Sequence, residues 1–160
     1  MANAKLEGPA GSQDPAGLRD AGGPRVRVTR RLHFSAAHRL SVDDWEEARN
    51  LEVFGLCSNP NWHGHNYELD VTVEGAIDPA TGYVLDLKVL RELVEHRVID
   101  DLDHHNLNLD VPWMRGVNPT TENLVVAIWS RIADGLPRGI DLVRIILYET
   151  PRNYVEYSGG

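Results

Sequence analysis

Cys57-Ser58-Asn59-Pro60-Asn61-Trp62-His63-Gly64-His65-Asn66-Tyr67 runs directly into Glu68-Leu69-Asp70-Val71-Thr72-Val73-Glu74. The second part alternates polar and apolar residues, the period of a half-buried strand. Side chains two apart on a strand share a face. His63 and His65 can therefore bite one ion together, while Gly64 keeps the opposite face clear. The only cysteine of the chain stands six residues before His63. A His-x-His pair by itself is weak evidence for a metal, because surface strands carry histidines without any special function. Catalytic zinc takes three protein ligands and leaves one position open. The rest of the chain has to supply the third ligand and a reason for the nearby thiol.

Upstream, Val26, Val28, Arg30, Leu32 and Phe34 alternate with Arg25, Arg27, Thr29, Arg31 and His33, which predicts a strand. Arg30 interrupts its apolar face. The strand runs out into Ser35-Ala36-Ala37-His38-Arg39-Leu40, whose small residues let backbones pass closely. Residues 41–54 read as a short helix or helical loop, capped by Ser41, with Asp43 and Asp44 in its first turn and Gly55 at its end. Downstream, residues 78–82 form a turn. Asp86 caps a helix whose stripe is Leu87, Leu90, Val94 and Val98 and which ends near Asp100-Asp101. A polar cluster follows, Leu102-Asp103-His104-His105-Asn106-Leu107-Asn108. Pro119-Thr120-Thr121-Glu122 opens a second helix with a buried stripe of Leu124, Val125, Ile128 and Ile132. Gly135-Leu136-Pro137 stops it. A mostly apolar strand over residues 142–148 delivers Glu149, and a turn through Pro151 leads to a last strand, 154–157. The order is strand, strand, helix, helix, strand, strand. It predicts an α+β layer, an antiparallel four-stranded sheet with two helices on one face. Open edges and apolar stripes predict that the sheet continues across subunits.

Composition bounds the function. The chain has 160 residues, 42% hydrophobic and 25% charged, which suits one soluble globular domain. Residues 1–24 are rich in Gly, Pro and small residues with little to bury, so we expect a disordered tail with no catalytic role. Residues 25–160 are the expected single domain. A net charge of -8 argues against a protein that coats nucleic acid or an anionic membrane. It leaves room for a phosphorylated substrate held by local arginines or a metal. A single cysteine excludes an internal disulfide and fits a reducing compartment, with the cytoplasm as default. No apolar run approaches a membrane span, and the N-terminus lacks a signal pattern.

The candidate ligand set is His38, His63 and His65, because His38 ends a strand able to pair with the one carrying the other two. Cys57 would lie close to such an ion. It reads as a thiolate base or nucleophile, as a fourth ligand closing a structural site, or as a buried free cysteine. Asp103-His104 offers a carboxylate and an imidazole able to shuttle protons, or a solvated helix end. Glu149 can accept two hydrogen bonds from a planar N–H/NH2 edge, or face water.

These motifs together resemble the 6-pyruvoyltetrahydropterin synthase family, which includes the bacterial 6-carboxytetrahydropterin synthases. The resemblance rests on Phe34-Ser35-Ala36-Ala37-His38-Arg39-Leu40, the Cys57 to Tyr67 run, Leu102-Asp103-His104, Pro119-Thr120-Thr121-Glu122-Asn123 and Tyr148-Glu149-Thr150, and covers nearly everything from Arg25 onward. It implies a T-fold (tunnelling fold), with trimers closing a barrel and two trimers stacking into a homohexamer. It implies Zn2+ on His38, His63 and His65, with Mg2+ as a companion of the triphosphate. Cys57 is implied as the proton-abstracting residue and Asp103-His104 as its relay, at a subunit interface. Thr121, Glu122 and Glu149 are implied to anchor the pterin of 7,8-dihydroneopterin triphosphate. The five residues between Cys57 and His63 resemble the pyruvoyl-forming enzymes of tetrahydrobiopterin biosynthesis. A shorter spacing is usual in the carboxy-forming enzymes of queuosine biosynthesis. A non-catalytic pterin- or metal-binding T-fold protein is the reading from another class. Arg30, Arg31 and Arg39 are triphosphate candidates by charge alone.

Overall fold

The computed structural model describes residues 23–160. The expected tail, residues 1–24, lies outside the described residues except for Gly23 and Pro24.

The architecture grows from one long antiparallel pair. Strand β1 (Arg25–His38) and strand β2 (His63–Ala76) match in unbroken register from Arg25↔Ala76 to His38↔His63. Alternation sorts the side chains. Leu32, Phe34, Ala36 and His38 of β1 face inward with Tyr67, Leu69, Val71 and Val73 of β2, and all are buried. Arg27, Thr29 and Arg31 face outward against Glu74, Thr72 and Asp70. Arg31 grips Asp70 with two bonds, Nε at 2.6 Å and Nη2 at 2.7 Å, and reaches Glu68 at 3.0 Å. This fork neutralises Arg31 on the face opposite the inward-facing histidines. It is therefore no companion of a ligand bound beside them. Arg30 faces inward but lies eight positions from His38, roughly 26 Å along an extended strand.

Strand β4 (Asp141–Thr150) pairs antiparallel with β2, and β5 (Asn153–Tyr157) pairs with β4 through a tight turn. A fifth strand, β3 (His105–Asn106), adds two residues parallel to β1, giving the order β3-β1-β2-β4-β5. The four expected strands are present. The sequence showed β3 only as polar residues, because two residues are too few for any period to register.

Helix α1 (Glu47–Phe54) is shorter than expected. Ser41 does not cap it. The Asn50 side chain instead accepts from Val42 N–H and donates to the Val42 and Trp45 carbonyls, holding residues 42–45 in a non-helical turn. Helix α2 (Leu87–Val94) is capped as expected, Asp86 accepting from Lys88 N–H at 2.8 Å. Leu90, Val94 and Val98 are fully buried, but Leu87 at the first position is 38% exposed. A wider, π-type turn (Glu95–Ile99) and a last turn (Asp100–Leu102) extend the helix. Helix α3 (Thr121–Ala133) is capped by the Thr120 hydroxyl and buries Leu124, Val125, Ile128 and Ile132, as the stripe requires. This α+β arrangement, sheet on one side and helices on the other, is the expected T-fold class.

The wide turn has a visible support. Arg131 Nε donates to the Arg97 carbonyl, and Arg131 Nη2 and Trp113 Nε1 both donate to Asp101 Oδ2 at 2.8 Å. The guanidinium also lies over the Trp113 ring. Arg131→Ala removes these bonds from a half-exposed setting. It should lower the unfolding free energy by about 1–2 kcal/mol, read as a lower denaturant midpoint. An unchanged midpoint would contradict the role of Arg131 in holding this turn.

Candidate active site

Strand parity builds the site. His38 and His63 are register partners at the end of the β1–β2 pair, and His65 follows two positions on. All three point inward, where the apolar core gives out. Tyr67 floors the cluster, its ring 5.7 Å from that of His65 and stacked on Phe34 at 4.8 Å. Gly64 lies against the backbone of β1, where a Cβ would come within 3.0 Å of the Ala36 carbonyl oxygen. Trp62, just before His63, holds φ 65°, a left-handed turn that swings the chain into β2.

The ring nitrogens of His38, His63 and His65 lie within 4.8 Å of one another. His38 Nδ1–H donates to the Pro119 carbonyl at 2.9 Å, which leaves Nε2 as the lone-pair nitrogen. His38 Nε2 and His63 Nε2 approach to 2.9 Å, and His65 Nε2 is buried without a hydrogen-bond partner. Burial lowers the pKa of His38 and His63, so both are neutral at pH 7, the state a metal needs. The donor set fits a three-histidine metal centre. Cys57 is outside this group, which disfavours a closed four-ligand site.

Next to the histidines stands Glu149. Its Oε1 accepts from Thr121 Oγ1 at 3.0 Å and lies 3.8 Å from His65 Nε2 and 3.9 Å from His38 Nε2. Cys57, Thr121, Glu122 and Glu149 line one cavity of about 520 Å3, together with Leu40, Thr120 and Arg152. Burial, and then the charge of Glu149, push the Cys57 thiol pKa up, so the thiol holds its proton at neutral pH.

With this geometry in hand, the profile described as 6-pyruvoyl tetrahydropterin synthase matches residues 27–160. The chain belongs to the 6-pyruvoyl tetrahydropterin synthase family. It is 49% identical over 142 residues to the 6-pyruvoyl tetrahydrobiopterin synthase of Pongo abelii, covering 87% of this chain and 97% of that one. Identity to the Homo sapiens protein of the same description is 46% over 142 residues, covering 88% and 97%. Among solved structures, the Caenorhabditis elegans 6-pyruvoyl tetrahydropterin synthase superposes with a TM-score of 0.80 at 36% identity, covering 86% of this chain and 98% of that one.

The remaining expected residues of this family member lie elsewhere. Asp103 Oδ1 accepts from Ser35 N–H at 2.8 Å, and that bond holds its carboxyl below the usual range. Asp103 Oδ2 lies 2.9 Å from His104 Nδ1. His104 is a non-glycine residue at φ 61°, with its side chain exposed. It opens onto a second cavity of about 490 Å3, lined by Ser35, Ala37, Gly64, His65 and Asn66. Within one chain, then, Cys57 and His104 face different cavities.

Sequence reasoning did not single out Arg152, the one Arg or Lys among the described residues that lines the Cys57 cavity. Its position in a turn gave no periodic signal. Arg39, by contrast, is engaged beneath the Cys57 loop, Nε donating to the Ser58 carbonyl at 2.8 Å. Among the described residues no helix is long and apolar enough to cross a membrane.

Proposed function

We propose that this protein converts 7,8-dihydroneopterin triphosphate to 6-pyruvoyltetrahydropterin with elimination of triphosphate, using Zn2+ on His38, His63 and His65. The observation that carries this reading is the convergence of three ring nitrogens beside the Glu149–Thr121 pair and a free thiol. Family membership supports it, with relatives described as 6-pyruvoyl tetrahydrobiopterin synthases at 46% and 49% identity.

Each residue then has a task. His38, His63 and His65 would hold the zinc, which would supply Lewis acidity to the two side-chain hydroxyls of the substrate and the neighbouring C–H bonds. Glu149 accepts from the planar N–H/NH2 edge of the pterin, held in place by Thr121, with Glu122 alongside. The Cys57 thiol, whose proton is held by burial and by Glu149, becomes the base once positive charge stands beside it. Asp103, ionised through its Ser35 bond, orients His104 to receive and return protons. Triphosphate leaves, and internal tautomerisation oxidises the side chain while reducing the ring, so no external redox cofactor enters. Mg2+ can accompany the triphosphate.

The separation of Cys57 and His104 favours a site completed by a second copy, in the trimer-built homohexamer of the T-fold. Residues 25–160 form the catalytic domain in this reading, and residues 1–24 take no part. A chain with one free thiol suits the cytoplasm.

Arg152 is the natural counter-charge for the triphosphate. Arg152→Ala should raise KM up to about fivefold with kcat nearly unchanged, since an exposed charge pair contributes about 0.2–1 kcal/mol. A parental KM would exclude Arg152 from substrate binding.

Purified protein given zinc and dihydroneopterin triphosphate should release triphosphate and a product with the mass of 6-pyruvoyltetrahydropterin. The 6-carboxytetrahydropterin mass would assign the queuosine branch instead. No triphosphate release by zinc-loaded protein would leave a pterin- or metal-binding protein.

A further inference from the structure

The last bonds of the β1–β3 ladder are His104 N–H to the Ser35 carbonyl and Leu107 N–H to the Ala37 carbonyl at 2.8 Å. Beyond them the chain turns away, Leu109 and Asp110 N–H both returning to the Asn106 carbonyl. Arg39 has no strand partner there. A side chain takes the place of one. Asn108 Oδ1 accepts from Arg39 N–H at 3.0 Å, and Asn108 Nδ2 donates to the Arg39 carbonyl at 2.9 Å. This amide reproduces the two-bond pairing of a peptide in a sheet. Asn108 is fixed in turn by its own N–H, which donates to Asn106 Oδ1 at 3.0 Å.

The clamped segment reaches the thiol loop directly. Leu40 N–H donates to the Cys57 carbonyl at 2.9 Å, and Arg39 Nε donates to the Ser58 carbonyl at 2.8 Å. Ser58 Oγ closes the loop on the Gly55 carbonyl at 2.8 Å. We infer that Asn108 is a positioning residue, which sets the Cys57 thiol against the three-histidine site through Arg39. The ladder bond from Leu107 to Ala37 ends two residues short of Arg39, and among the described side chains it is Asn108 that carries the tie on to Arg39 itself. One amide thus keeps two stretches of the proposed proton machinery in register. The inference rests on the reading of Cys57 as the proton-moving group.

The test compares Asn108→Ala, Asn108→Asp and Arg39→Ala by steady-state kinetics, zinc content and the rate at which Cys57 is alkylated by iodoacetamide at fixed pH. Asn108→Ala should lower kcat about tenfold to a hundredfold, the scale of a small misplacement of a reacting group, with KM little changed. Zinc should stay bound, and alkylation should speed up several-fold as the loop loosens. Asn108→Asp keeps the acceptor for Arg39 N–H and should recover part of kcat. Arg39→Ala cuts only the Ser58 link, should shift kcat and alkylation in the same direction, and carries the test should Asn108→Ala fail to fold. Parental kcat and alkylation in Asn108→Ala would overturn the inference. So would zinc loss, or an Asn108→Asp protein as impaired as Asn108→Ala. Alkylation is read without substrate, so a parent protein that fails to turn over would count against the proposed function and not against the clamp.

Discussion

Replacing Cys57 by alanine is expected to lower turnover by about 10²–10⁴-fold, the range for losing one positioned proton-transfer group, and to leave zinc bound. The expectation follows from where the thiol lies. It shares a cavity with Glu149 and Thr121, yet it is not one of the converging nitrogen ligands. Burial and the carboxylate of Glu149 hold the thiol protonated in this setting. A divalent cation at the histidines opposes both effects. Zinc should therefore accelerate alkylation of Cys57 at pH 8, and Glu149→Gln should do so modestly even without metal. Kinetics and metal analysis of the same preparation settle the matter. Loss of zinc on removing the thiol would make Cys57 a ligand, and retained turnover would remove it from the chemistry.

His63→Ala should abolish activity by emptying the metal site, weakening zinc by well over the roughly 10–100-fold that the loss of a mere supporting partner costs. His63 is half-buried and ends a strand, so its removal tests the metal cleanly. His38→Ala is a harsher change. His38 is fully buried and bonded to the Pro119 carbonyl, so its loss also leaves a cavity and an unpaired acceptor, costing about 2 kcal/mol or more. The same burial gives a pH dependence. His38 and His63 are neutral in the fold with pKa lowered from 6.5, whereas the unfolded chain protonates near 6.5. Between the lowered folded values and 6.5 the unfolded chain binds more protons, so folding stability is lost as pH falls through that window. Protons also compete with metal for the same nitrogens, and zinc affinity should decline as pH falls through the lowered folded values of His38 and His63. Isothermal titration at two pH values reads this directly. Full zinc occupancy in His63→Ala would contradict the site.

Much of this was legible in the sequence, for a physical reason. The three-histidine cluster is a product of strand parity. Once β1 and β2 pair in register, His38, His63 and His65 must share a face, and period two is visible in residues alone. The buried parts of the helix stripes and the Asp86 cap were also visible in residues alone. What lay hidden is non-periodic. The Asn50 clamp that shortens α1, the two-residue β3, the wide turn after Val94 and the Asn108 side chain standing in for a strand are local hydrogen-bond solutions without a repeat. Arg152 was hidden because a turn residue reaches the cavity only once β4 and β5 have folded back. Arg31 looked available by charge, but its fork on Asp70 places it on the other face.

In the proposed function, catalysis needs the histidine–thiol centre of one chain and Asp103-His104 of another. Cys57→Ala and His104→Ala proteins, each inactive alone, can be co-expressed and the mixed assembly assayed. Every interface that pairs an intact Cys57 with an intact His104 should work. Random assembly across head-to-tail interfaces then restores about a quarter of parental activity. If the mixture stays as inactive as its parts while mixed assemblies demonstrably form, the shared site is wrong, and the proton relay must lie within one chain.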